Sequence, residues 1–218
     1  MELLNFDSKL WYELESAYSF TDEFRENYGD IKEYVCILHE EREDIEMPVR
    51  IRRMERTQRS AYQIVFENVC ENMSHQLTFY PISYIVLPYL VTLLEKKVQQ
   101  KDVEWQRLII SEVGVALMGD TPRFRVKKAD KEIMRNYKKA LRRFRKLVKK
   151  FYKENRKWVK QMNFNDKSQI VCGTSAILGI HWLPMVLVMG FDMFSEETCD
   201  KIINVVYFLQ RIHLGFVF

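Results

Sequence analysis

The sequence predicts an all-α protein built from short antiparallel helices stacked side by side. Three observations carry this. Residues 75–117, HQLTFYPISYIVLPYLVTLLEKKVQQKDVEWQRLIISEVGVAL, read as two apolar helices joined by a polar turn. Residues 129–162 carry a seam of side chains three and four positions apart, all apolar but Asn155. With 7 Gly and 5 Pro in 218 residues, little turn chemistry is left for a many-stranded β fold. A chain of this length can bury a core as one domain or one elongated array, and a single domain over residues 1–218 is expected.

In chain order, residues 8–20 and 22–38 read as two helices. Leu10, Leu14, Ala17 and Tyr18 mark a face of the first, Thr21 or Asp22 would cap the second, and Gly29 is a point of interruption. Residues 40–46 form a charged connector without periodicity. A basic stretch after Pro48 (Arg50, Arg52, Arg53, Arg56, Arg59) passes into AYQIVFENVCENM, whose Ala61, Ile64, Val65, Asn68, Val69 and Met73, mostly apolar, recur at helical spacing. Tyr80-Pro81 favours an extended entry to the next helix, with Ser83 as its cap. Pro88 lacks an N–H and collides with the carbonyl four residues back, so a kink is expected there. A turn at residues 100–102 leads to a helix over 104–118 with Trp105, Leu108, Ile109, Val113 and Leu117 facing inward, closed by Gly119-Asp120-Thr121-Pro122.

The longest periodic element, 129–162, carries a seam of Met134, Tyr137, Leu141, Phe144, Val148, Phe151, Asn155, Trp158 and Met162, with a break possible near Glu154-Asn155. Two short helices follow. Ser195-Glu196-Glu197 then opens a last helix ending near Phe218. The uncharged run 170–191 is about as long as a membrane span, but its glycines, Pro184 and His181 fit a buried helical hairpin turning near 179–182 better. The acidic start MELLNFDSKLWYELE is not that of a signal peptide. Cys36, Cys70, Cys172 and Cys199 lie far apart, as buried small hydrophobes of a reducing, cytoplasmic compartment would.

Charge is segregated along the chain. The formal +4 divides into −10 over residues 1–47, +1 over 48–122, +15 over 123–162 and −2 over 163–218. Such asymmetry sets long-range fields and partner preference rather than fold. On the basic segment, Arg142, Arg143, Lys146, Lys149, Lys150 and Lys153 are the candidate binding residues. They would touch phosphates if the ligand is a nucleic acid, with Tyr152 and Trp158 as base-stacking platforms. They would be a solvated helix face otherwise, or would lie against the acidic N-terminal segment. His75, Gln76 and Tyr80 form a candidate polar site, against which stands the commoner reading of a lone His as a cap or a satisfied buried group.

Motifs for catalysis are absent from the sequence. His39, His75, His181 and His213 are scattered without metal-ligand spacing, and no phosphate-binding glycine loop occurs. Cys172-Gly173-Thr174-Ser175 has the composition of a nucleophile turn, but no strand precedes it and no base is spaced to serve it. No enzymatic activity, cofactor or metal is expected.

Several motifs, taken together, resemble a family. LWYELESAYSFTDEF, SHQLTFYPISYIVLPYLVTLLE and EWQRLIISEVGVAL are similar to segments of a bacterial family of small HEAT-repeat-like helical proteins. That family shows a W-x-x-L-x-x-A-Y-G start, an HQ-x-T-x-Y-x-A-S/T motif and a P-[YF]-L-x-x-L-L helix. Trp11, Leu14, Ala17, Tyr18, His75, Gln76, Thr78, Tyr80, Ser83, Pro88, Tyr89 and Leu90 match in order. Ser19 stands where the family has Gly, and Ile82 where it has Ala. The resemblance covers about the first 120 residues and continues only as a looser helical pattern around ILGIHWLPMVLVMGF. It implies a short α-solenoid with a HEAT-like core at 48–122. It also implies a cofactor-free binding protein of immunity type, whose partner is a secreted bacterial toxin. Against it stands a nucleic-acid-binding helical-repeat protein, of base-repair type, that uses the basic helix at 123–162.

Overall fold

The computed structural model describes residues 1–17, 29–42, 45, 59–75, 78–120, 130–178 and 201. These residues are all-α apart from one short hairpin. The elements are α1 (Leu10–Glu13), α2 (Ile31–Glu40), α3 (Ala61–Met73), β1 (Ser74–His75), β2 (Thr78–Phe79), α4 (Ser83–Gln99), α5 (Val103–Ala116), a 3-10 turn (Leu117–Gly119), α6 (Lys131–Glu154), α7 (Arg156–Gln161) and α8 (Phe164–Ile177). They fall into two compact units, Met1–Leu93 with Gly119–Ala140, and Leu94–Met118 with Leu141–Phe218. The dividing points lie inside α4, the 3-10 turn and α6.

In the first unit, α2 packs on α3. Asp30 caps α2 by accepting from the Lys32 N–H, and Glu41 ends it in the left-handed region at φ 55. Gly29, at φ +87, turns the chain just ahead of that cap, where an added Cβ would strike the Tyr34 ring. Ser60 caps α3 by accepting from the Gln63 N–H at 3.2 Å. Val35, Val65, Phe66, Val69, Met73 and Leu87 are fully buried. Side chains of this kind each contribute about 1.5–3 kcal/mol by leaving water. Phe6, Trp11 and Tyr89 form an aromatic cluster with centroids 5.0–5.7 Å apart. Phe79, Tyr84 and Tyr137 form another, where the Tyr137 hydroxyl donates to Asp120 Oδ2 at 2.6 Å.

Three local expectations change. The first helix is a single turn, because Leu14 is extended and the next residues bond to distant backbone instead. Ala17 N–H donates to the Asn72 carbonyl (3.2 Å), Ile82 N–H donates to the Glu15 carbonyl (3.0 Å) and the Ser16 hydroxyl donates to Asn72 Oδ1 (3.0 Å). The stretch expected to open the second, residues 22–28, lies outside the described residues. Residues 74–79 form an antiparallel hairpin, Ser74 opposite Phe79 and His75 opposite Thr78. Ser83 is the first residue of α4 and so lies one past the cap position, and its buried hydroxyl donates to the Met73 carbonyl at 2.7 Å. Pro88 lies inside α4.

In the second unit, α5 and α8 pack against each other at very short range. Gly114 and Gly173 face one another, and a Cβ on Gly173 would lie 2.5 Å from the Ile110 carbonyl oxygen and 2.6 Å from that of Ser111. Arg107 Nη1 meets Asp166 Oδ1 at 3.0 Å, tying α5 to the first turn of α8. Asp102 caps α5 by accepting from the Trp105 N–H at 3.1 Å. The inward stripe of α5 is Ile109, Ile110, Val113, Ala116 and the following Leu117, while Trp105 and Leu108 are only half-buried.

The break near residue 154 is present. Asn155 leaves helical geometry at φ −108, ψ 22 between α6 and α7. The 24 residues of α6 therefore span about 36 Å. The hairpin expected at 179–182 and the last helix from Ser195 lie outside the described residues. No helix among the described residues is long and apolar enough to cross a membrane.

Candidate functional site: the basic face of the long helix

The second half of α6 has two chemically opposed sides. Phe144, Val148, Phe151 and Tyr152 are buried, whereas Arg142, Arg143, Lys146, Lys149, Lys150 and Lys153 are all exposed. At 100° per residue these six cations fall within an arc of about 120°. The helix forms because its apolar seam is buried at helical period, which leaves the charges on the remaining side.

Side-chain partners divide the arc further. Arg143 Nε pairs with Glu95, and Lys150 Nζ lies 3.9 Å from Glu154 Oε1, both pairs exposed enough to contribute little. These two cations sit at one edge of the arc. Among the described residues Arg142, Lys146, Lys149 and Lys153 make no ion pair. Their spacing of four, three and four residues places them in a stripe about 60° wide and about 17 Å long. Like charges three and four residues apart on a helix destabilise it by about 0.2–0.5 kcal/mol per pair. The stripe thus weakens the local helix, and the buried seam offsets it.

Arg145 belongs to the fold and not to this surface. Its Nε donates to the Ile177 carbonyl at 2.7 Å, satisfying an orphan carbonyl at the C-terminus of α8 with a cation.

The two proposed stacking residues are otherwise engaged. Tyr152 is buried and its hydroxyl shares a 3.0 Å hydrogen bond with Thr174 Oγ1, so it offers no ring face to a base. Trp158 is half-buried, edge-on to Phe151 at 6.2 Å. Tyr152 packs on the buried side of α6, where an aromatic at helical spacing fits as readily as on the surface.

His75 is exposed on the hairpin, so it is not a buried group. Tyr80 is half-buried, with its N–H donating to the Met73 carbonyl at 3.0 Å. Gln76 lies outside the described residues, so no complete polar site of these three can be drawn. Cys172, Thr174 and Ser175 lie in the C-terminal half of α8. Burial pushes the Cys172 thiol up to about 12, the opposite of an activated nucleophile. The Ser175 hydroxyl donates back to the Val171 carbonyl at 2.8 Å. Among the described residues no group of three His, Cys, Asp or Glu side chains is arranged to hold a metal ion.

No protein-family model, curated protein or solved structure matches the chain.

Proposed function

We propose that the protein is a non-enzymatic binding protein whose stripe of Arg142, Lys146, Lys149 and Lys153 takes an acidic surface of a protein partner. The observation that carries this reading is the set of four exposed cations, without ion pairs among the described residues, on a helix whose opposite side is locked in the core. Their mean axial spacing of about 5.5 Å is that of carboxylates repeating at the same interval on another helix. Charge complementarity of this kind contributes mainly to association rate and specificity. The resemblance to HEAT-like immunity-type proteins, with helix pairs stacked as a short solenoid, narrows the partner to a bacterial toxin with an acidic face.

Nucleic acid is the second reading, favoured by the same cations but weakened by the burial of Tyr152, which removes a stacking platform. Affinity capture from nuclease-treated lysate of the native host would separate the two. Wild type should retain a protein that the R142E/K146E/K149E/K153E variant loses. Recovery of the same proteins by both forms would overturn the proposal, as would nucleic-acid binding by wild type that the four reversals abolish.

A further inference from the structure

We infer that a cleft in the first unit binds a basic peptide segment in which an apolar residue adjoins a lysine or arginine. This stands apart from the α6 stripe and involves none of its residues. The cleft measures about 370 Å³ and lies between the N-terminal segment and the first two turns of α6. Half-buried Leu3, Leu10 and Ile133 give it an apolar lining, and the exposed carboxylates of Glu2, Asp130 and Glu132 stand around it.

Specific bonds hold this shape. Asn136 exchanges two hydrogen bonds with the backbone of Glu2, its Oδ1 accepting from the Glu2 N–H at 3.3 Å and its Nδ2 donating to the Glu2 carbonyl. Trp11 Nε1 donates to the Asn5 carbonyl at 3.1 Å, and the Tyr89 hydroxyl donates to the Leu4 carbonyl. The N-terminal segment is thereby fastened along both the α6 side and the aromatic cluster.

The chemistry of the occupant follows from the lining. Asp130 and Glu132 also offset the dipole at the start of α6, but Glu2 comes from a separate segment and has no such role. Among the described residues none of the three carboxylates makes an ion pair. Three carboxylates beside half-buried aliphatic carbon suit a side chain that lays an apolar stem on the lining and keeps a cationic head at the rim. The volume is at the small end for a ligand site and holds one or two side chains rather than a folded surface. A peptide carrying leucine next to lysine meets both requirements.

The test uses the full chain and a fluorescein-labelled, capped hexapeptide alternating leucine with lysine, followed by anisotropy. Saturable binding is expected, weakened at least tenfold by E2Q/E132Q and at least tenfold when glycine replaces leucine in the peptide. The K149Q/K153Q variant should bind within threefold of wild type, which separates the cleft from the stripe. Both glutamates are exposed, so a thermal melt of E2Q/E132Q should match wild type. Absence of saturable binding, equal binding by E2Q/E132Q, or equal binding of the glycine peptide would each overturn the inference. So would displacement of the peptide by 1,5-diaminopentane at equal concentration, which would assign the cleft to free amines.

Discussion

Adding one methyl group at Gly173 should destabilise this protein, although helix propensity alone says the reverse. Alanine in place of a mid-helix glycine is ordinarily worth about 1 kcal/mol of added stability. Here the new Cβ would sit 2.5 Å from the Ile110 oxygen, 2.6 Å from the Ser111 oxygen and 2.8 Å from Ser111 Cα. These obstacles are backbone atoms of α5, so no side-chain rotation relieves them and the helix pair must separate. Overpacking of this kind costs about 1–3 kcal/mol and sometimes more. Rigid backbone obstacles this close place the cost in the upper part of that range, about 2–3 kcal/mol, so subtracting the propensity gain leaves a net loss of about 1–2 kcal/mol. At about 2–4 °C per kcal/mol for a chain of this size, Tm should fall by about 2–8 °C. Circular dichroism melts and urea titrations of wild type and Gly173→Ala measure it. Gly114→Ala meets the backbone of Gly173 and should lose stability too. Because the two positions share one contact, the double variant should lose less than the sum. A Gly173→Ala protein as stable as wild type, or more stable, would refute the close-packed description of α5 and α8.

Two further outcomes follow from the same unit. Arg145→Ala removes a charged hydrogen bond to the Ile177 carbonyl and should lower stability by about 1–3 kcal/mol, while Lys146→Ala, one residue on, should change it by less than about 0.5 kcal/mol; equal effects in urea titrations would remove the distinction between fold and surface cations. Burial raises the Cys172 thiol from about 9 to about 12, so above pH 9 the unfolded chain loses a proton that the native chain keeps. Stability present below pH 9 should therefore decline by about 1.4 kcal/mol per pH unit between pH 9 and 12 from this group, and Cys172→Ala should flatten part of that slope; an unchanged slope in urea titrations across that range would contradict it.

The helices α3, α4, α5 and α6 were legible because each buries a stripe at helical period, and the end of α6 was legible because polar Asn155 breaks that stripe. The hairpin at residues 74–79 was not. Two-residue strands are too short to show alternation, and Ser74 and Thr78 are equally at home in a loop. Residues 14–17 look helical in isolation, yet Ala17 and Glu15 satisfy their backbone through Asn72 and Ile82, a tertiary substitution that no local pattern announces. The six cations of α6 were identified by charge alone. Their division into edge pairs and a stripe without ion pairs among the described residues was partly readable, since Glu154 stands four residues after Lys150, but the Arg143–Glu95 pair spans 48 positions. The acidic cleft was hidden for the same reason. Glu2 and Glu132 meet only through the fold.

The central claim is that the α6 stripe is the surface on which a protein partner docks. A photo-crosslinking amino acid placed at position 149, and at exposed position 71 on α3 as a control, tests it in the native host after nuclease digestion. The account predicts a discrete protein adduct from position 149, with an acidic surface on the captured partner, and none of that species from position 71. Adducts of equal identity and yield from both positions, or a position-149 adduct that nuclease removes, would contradict it.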